Sequence, residues 1–370
     1  MHTLILDAAP PGPQCQAAME TLRLPNLERL LQLLSPDQQW TGTDKDLSPV
    51  AERAMAHCAG LPQTDGLIPW AAHDAQQRGL AKTHGLENWA WITPAHWQAQ
   101  SDHVEMSDPM QLGITHHEAI GLHAAMLPYF AEDGITLYLP EPGQSCTHWL
   151  AQGAVFANLP TASLQRVAGQ RVDPWVPRQA QAAPLRRLQN EMQMLLYTHP
   201  LNDLRASMRQ PSINAFWVSG TGTLPAALPP ARPYVLREAL HASARHDDAP
   251  AWMAAWEALD ASTLAHELER LERGEAAQLT LCSATLAQHY TLRPLGTWER
   301  LRRRFAPLRA ASALQSLRMW RGIIPQFAPR SWDALQGAGR AVWPAKQAAC
   351  NAAARPNPPG QMGKLFLATS

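Results

Sequence analysis

Short apolar runs and amphipathic stretches take turns along this chain, and that alternation constrains its fold more than any other feature. Residues 3–6 form an apolar run that ends at Asp7 and then meets Pro10, Pro11 and Pro13, the pattern of a buried strand entering a loop. Leu27, Leu30, Leu31 and Leu34 recur at helical spacing within residues 25–34. Ser48 and Pro49 read as the N-cap and first residue of a second helix, and residues 70–79 as a third. Residues 88–92, 135–139, 149–156, 213–218 and 278–282 read as strands, and residues 94–113 as a long loop or irregular ribbon. Thr115 and Glu118 fit a capping box for a helix running to about Phe130. Residues 184–197 and 252–273 complete the helical set. Strands interleaved with helices predict an α/β fold, and no repeat recurs at a fixed period.

Composition narrows the class. Apolar residues make up 46% of 370 and charged residues 17%, enough for a real core, which excludes a disordered or collagen-like chain and a small disulfide scaffold. The length suggests two domains or one large elaborated one. Cys15, Cys58, Cys146, Cys282 and Cys350 are widely spaced with no C-x-x-C, which argues against a disulfide framework and a thiolate zinc site. No apolar run reaches the ~18 residues of a membrane span. The first residues turn polar at Asp7 without a basic leader, so a cytoplasmic protein with no membrane partner is expected.

Charge balances overall, at 31 basic and 31 acidic residues, but not locally. From Arg300 to Ser370 there are 12 Lys and Arg against one acid, Asp333, so that segment carries +11 and the first 299 residues −11. The dense group Arg300, Arg302, Arg303 and Arg304 either faces nucleic acid or phosphate or lies on a solvated helix docked on the acidic remainder. No RNA- or DNA-binding signature accompanies it. A helix at residues 298–305 is expected to dock through Leu301 and Phe305, and the Ala/Pro/Gly-rich residues 331–370 to form a loose tail.

No P-loop, G-x-G-x-x-G, H-E-x-x-H or G-x-S-x-G occurs. The loop containing His96, Asp102, His103, Glu105 and Asp108 offers ligands for a metal or a phosphate, or caps for turns. His116, His117 and His123 lack the i,i+4 spacing of a helical zinc pair. Ser219, Gly220 and Gly222 follow an apolar strand, where backbone N–H groups either face an anion or form a turn that needs positive φ. His199, Asn202 and Arg205 either read a phosphate or carboxylate or close a helix that Pro200 stops.

Three stretches together resemble the archaeal-type, cofactor-independent phosphoglycerate mutases of the alkaline phosphatase superfamily. Pro25-Asn26-Leu27-Glu28-Arg29-Leu30 looks like that superfamily's early T-P-N-L-D-R-L helix. The helix from Ile68, the polar loop from Trp91 and the strand after Asp133-Gly134 are similar in order to the family's inserted domain. His199-Pro-x-Asn202-x-x-Arg205, then Ile213-Asn214-x-x-Trp217 and Gly220-x-Gly222, look like the family's H-P-x-N-x-x-R, A-N-x-I-W and glycine pair. The likeness covers roughly residues 1–225. More closely, the chain resembles a proteobacterial group often labelled phosphoglycerate mutase or Rpf-type regulatory protein.

The resemblance implies an alkaline-phosphatase-like mixed sheet flanked by helices, built from residues 1–87 and 213–330, with a smaller α+β domain inserted at 88–212. It implies two divalent ions, Mn or Zn, with Asp7 as a ligand and Ser48 as the nucleophile. The family's D-x-x-G-H spacing is missing after residue 225, and Pro49 follows Ser48 where the family has a supporting residue. The expectation is therefore a degenerate metal site with no cofactor, and a bacterial regulatory pseudoenzyme that binds a phosphorylated small molecule or a protein partner. An active metal-dependent phosphomutase or phosphohydrolase is the alternative. A nucleic-acid-associated protein using the C-terminal arginines is a second.

Overall fold

The structure is a computed structural model that describes residues 2–85, 87–292 and 310–317. Its fold is mixed α/β, as the alternation predicts. The expected basic helix at 298–305 and the tail at 331–370 lie outside the described residues.

The first sheet draws on both ends of the chain. Its strands are β1 (His2–Ala9), β2 (Ser35–Thr41), β10 (Tyr234–Arg237), β11 (Gln278–Ser283) and β12 (Leu286–Thr291), in the order β10-β1-β11-β12-β2. β1 runs parallel to both neighbours, whereas β12 is antiparallel to β11 and to β2. Central β1 is buried on both faces, as expected of a parallel strand covered by helices. Successive side chains of a strand point to opposite faces. Ile5 accordingly joins Leu279, Leu281 and Trp256 in one core, and Leu4 and Leu6 join Val50, Ala54 and Cys58 of the helix Val50–Ala59 in another.

The second sheet, β6-β7-β3-β9, is antiparallel throughout: β6 (Thr136–Tyr138), β7 (Trp149–Gln152), β3 (Trp89–Ala95) and β9 (Ala215–Ser219). The helices His116–Glu132 and Ala183–Tyr197 contribute Leu122, Met126, Leu188 and Met192 to the core with Ile92 and Phe216, while Ala71 and Ala75 of the helix Trp70–Gln77 share a core with Trp89 and Leu150. β9 pairs with β3, so this sheet takes strands from both sides of residue 213. A third small sheet joins β4 (Trp97–Ala99), β5 (Val104–Met106) and β8 (Gln170–Arg171). The stretch 94–113, expected as a long loop or irregular ribbon, thus holds a short hairpin at 97–106, because Trp97, Val104 and Met106 alternate with polar residues and share a core with buried Trp217.

Two helix boundaries differ from expectation. Pro49, not Ser48, is the N-cap of Val50–Ala59, and Ser48 turns back toward Gly66. The helix expected over 252–273 contains a π-helical turn at Asp260–Leu264 between Ala249–Leu259 and Ala265–Glu272. The buried Asp260 there accepts hydrogen bonds from the backbone N–H groups of Asn26 and Leu27 at 3.2 and 2.8 Å. It thereby caps Pro25–Leu33, a helix without a side-chain cap of its own.

Candidate functional site

In α/β sheets, ligands bind outside the carboxyl ends of the parallel strands. Here that edge holds Asp7, near the end of β1, with φ of 53°. A non-glycine residue in the left-handed region costs about 1–3 kcal/mol, and such strain concentrates at functional positions. The Asp7 backbone carbonyl accepts a hydrogen bond from Trp252 Nε1 at 3.2 Å, and its carboxylate accepts one from His241 Nδ1 at 2.7 Å.

His241 begins the short helix His241–Arg245, which follows the adjacent parallel strand β10. The Asp7 hydrogen bond raises the His241 pKa against the opposing effect of burial. Arg245, one turn further on, donates from Nη2 to the Ala168 carbonyl at 2.9 Å and is exposed like His241. The His241 imidazole and the Arg245 guanidinium thus belong to one helical turn at the rim, near enough for the Arg245 charge to oppose the rise in the His241 pKa.

The loop after β2 leaves from the same edge of the sheet. It is cinched by Arg53, whose Nη2 reaches Asp46 at 2.5 Å and Asp65 at 3.3 Å. Asp46 also accepts from the Thr43 N–H and hydroxyl, and Asp65 from the N–H groups of Leu47 and Ser48. Ser48 is buried, and its Oγ accepts the Gly66 N–H at 2.9 Å. Four residues on, Glu52 lies partly buried beneath Trp70, whose Nε1 donates to it at 2.8 Å.

These residues do not fit a two-metal centre. Among the described residues no group of three or more His, Cys, Asp and Glu is placed to hold an ion. Asp7 is committed to His241, and the downstream acids serve the backbone. Asp247 accepts from the N–H groups of Gln14 and Cys15, Asp248 caps Ala249–Leu259, and Asp260 caps Pro25–Leu33. His289 hydrogen-bonds the buried Thr280 hydroxyl at 3.1 Å.

The remaining sequence candidates are not gathered here. His96 Nδ1 bonds the Ser212 carbonyl, and Asp102 pairs with His103 in the bend between β4 and β5. His199 caps its own helix by accepting from the Leu201 N–H. Asn202 donates to the Leu196 and Ile213 carbonyls and accepts from the Ile213 N–H, bridging the helix to the approach of β9. Arg205 is fully buried and donates to Glu118 and to the Pro211 and Leu112 carbonyls, each at 2.7 Å. As placed, the three side chains bind scaffold rather than an anion.

Ser219 closes β9, buried. A Cβ on Gly220 would meet the Trp91 ring at 2.9 Å, and one on Gly222 the Leu67 carbonyl at 2.3 Å, with φ of 68° and 136°. The pair is the positive-φ turn of the two readings, required by close approach to residues 66–71. His241 and Glu52 lie outside the candidates read from the sequence. His241 is 234 residues from its partner, and a half-buried helical glutamate carries no local mark.

No protein-family model and no curated protein matches the chain. Among solved structures it is similar to the PH0037 protein from Pyrococcus horikoshii, at 13% identity and a TM-score of 0.40, over 81% of this chain and 92% of that one. It is also similar to a cofactor-independent phosphoglycerate mutase from Thermoplasma acidophilum DSM 1728, at 10% identity and a TM-score of 0.31, over 78% and 89%.

Proposed function

We propose that the chain is a phosphoglycerate-mutase-like protein on an alkaline-phosphatase-type scaffold, and that it binds a phosphorylated small molecule in a regulatory role without metal chemistry. The observation that carries this reading is the Asp7–His241 pair at the carboxyl edge of the first sheet, with Arg245 one turn away. A phosphate offers several acceptors and two negative charges, which suits an imidazolium and a guanidinium presented together. The motif residues His199, Asn202 and Arg205 support the scaffold half of the resemblance and contribute nothing to the ligand half.

Thermal-shift titration with 3-phosphoglycerate and inorganic phosphate tests the reading. The wild type should shift upward, and the His241→Gln/Arg245→Ala double variant should shift much less. Equal shifts in both proteins would place the ligand elsewhere, and no shift at millimolar ligand would remove it. Elemental analysis should find under one Mn or Zn per chain. Two tightly held ions, with phosphatase activity abolished by Ser48→Ala, would restore the active-enzyme alternative.

One separate observation favours a protein partner. Met194, Tyr197, Leu204 and Met208 are 50–84% exposed on the consecutive helices Ala183–Tyr197 and Pro200–Ser207 and their C-cap. Exposed apolar side chains that lie one helical turn apart, as Met194 and Tyr197 do on the first of these helices, are the material of interaction faces. Affinity capture by the wild type but not by Met194→Gln/Tyr197→Gln would support it, and identical capture by both would exclude this face.

A further inference from the structure

The helix His116–Glu132 covers the second sheet with Ala119, Leu122, Met126 and Phe130, all fully buried. Its outer face is not the polar one that a surface helix presents. At about 3.6 residues per turn, His117, Ile120, Ala124, Leu127, Pro128 and Ala131 line up in one stripe, and all six are exposed. Ile120 is 47% and Leu127 38% accessible. From Ala119 to Ala131 the helix holds no Asp, Glu, Lys or Arg. A helix that is apolar all round belongs in an interior, so this one is built to be covered on its outer face too.

The charges at the ends of the stripe point to what covers it. His117 lies in the first turn of the helix and Glu132 is its last residue. Both are exposed, and among the described residues neither has an ion-pair partner. The neighbouring acids are engaged, Glu118 with Arg205 and Asp133 with Arg187. A helix N-terminus favours a carboxylate and a C-terminus a cation. Glu132 and His117 each stand at the other end, an arrangement that an antiparallel copy of the same helix corrects.

We propose that the protein is a homodimer in which two copies of the helix His116–Glu132 pack antiparallel through this stripe, about a twofold axis at Ala124. Such an interface uses one patch on both subunits, so the patch must complement itself. Here it does. His117 and Glu132 lie on the same flank of the stripe, so the Glu132 carboxylate of each copy meets the first turn and His117 of the other. Leu127 comes beside Ile120 of the other copy on the opposite flank. Pro128 comes over Gly121, where an added Cβ would meet no atom within 4 Å. The inference rests neither on the phosphate site nor on the face of Met194 and Tyr197.

Light scattering of the full chain at micromolar concentration should give twice the chain mass. Leu127→Glu, at an exposed position, should keep the far-ultraviolet circular dichroism and raise the dimer dissociation constant about 100-fold or more, because two leucines leave the interface. Register is read by mild oxidation with diamide in a Cys350→Ser background, since the other four cysteines are buried. Ala124→Cys alone should form a covalent dimer, whereas His117→Cys and Glu132→Cys should crosslink only when mixed. A monomeric wild type overturns the proposal and leaves the stripe to another protein. A dimer of undiminished affinity in Leu127→Glu overturns it too, as does His117→Cys crosslinking to itself, the mark of a parallel pair. Should Leu127→Glu fail to fold, the crosslinking pattern decides: no covalent dimer of Ala124→Cys overturns the proposal.

Discussion

Arg205 and Glu118, 87 residues apart, form a buried ion pair at 2.7 Å that locks the helix Pro200–Ser207 to the first turn of His116–Glu132. Glu118 is also the acid of the capping box with Thr115. Burial pushes its carboxyl up, but the Thr115 N–H and Arg205 outweigh that and hold it below the usual carboxylate range.

Removing one partner of such a pair leaves the other charged and unpaired. Arg205→Met should therefore destabilise the protein by about 3–5 kcal/mol, read as a lower urea midpoint at unchanged slope. Arg205→Lys should recover part of this, since one ammonium cannot reproduce three divergent donors. A loss under about 1 kcal/mol in Arg205→Met would show that the pair is dispensable and reopen a ligand role.

Asp260→Ala should cost about 1–2 kcal/mol, the ordinary value of a helix N-cap, although the helix it caps lies 233 residues away. Exchange should accelerate first at Asn26 and Leu27. Protection there equal to that of the wild type would mean that water replaces the carboxylate without loss.

Acid should weaken the first sheet through buried histidines. His2 Nε2 bonds Thr280 Oγ1 at 2.7 Å, its Nδ1 lies 3.1 Å from Cys58 Sγ, and its ring sits 4.7 Å from that of His289. Burial, with His289 beside it, lowers the His2 pKa to about 3, and burial lowers His289 as well. The unfolded chain then binds protons that the folded chain refuses. Stability is full above 6.5 and falls as pH drops below it, by up to about 1.4 kcal/mol per pH unit for each ring. His2→Gln should flatten the urea midpoint between pH 7 and 5; an unaltered slope would place the acid sensitivity elsewhere.

His241 has the opposite sign. Its raised pKa means that its contribution is present below the unfolded value and disappears as pH rises through the folded one. Asp7→Asn should bring the His241 titration back down, visible in its ring proton shifts. An unmoved titration would show that the 2.7 Å contact is not what raises it.

Much of the scaffold is legible in local sequence. Apolar periodicity marks β1, β3, β9 and β11 and the helices at 25, 70, 116 and 183, because a buried strand or helix face needs its apolar side chains at fixed spacing. Edge strands escape that reading. In β2 only Ser35 and Trp40 are buried, since one long side of an edge strand faces solvent. Thr115 and Glu118 read correctly as a capping box because a cap is a contact across three residues. The sites do not read this way. Arg205 looks like an anion ligand until Glu118 and two carbonyls are brought to it, and His241 looks ordinary until Asp7 arrives. Residue type and spacing determine which segments form and which faces they must bury. Whether a charged side chain is free for a ligand depends on neighbours far away in the chain, 87 residues for Arg205 and 234 for His241, so only the tertiary structure decides it: the cost of an unpaired buried charge is a property of the whole environment and not of the sequence around it.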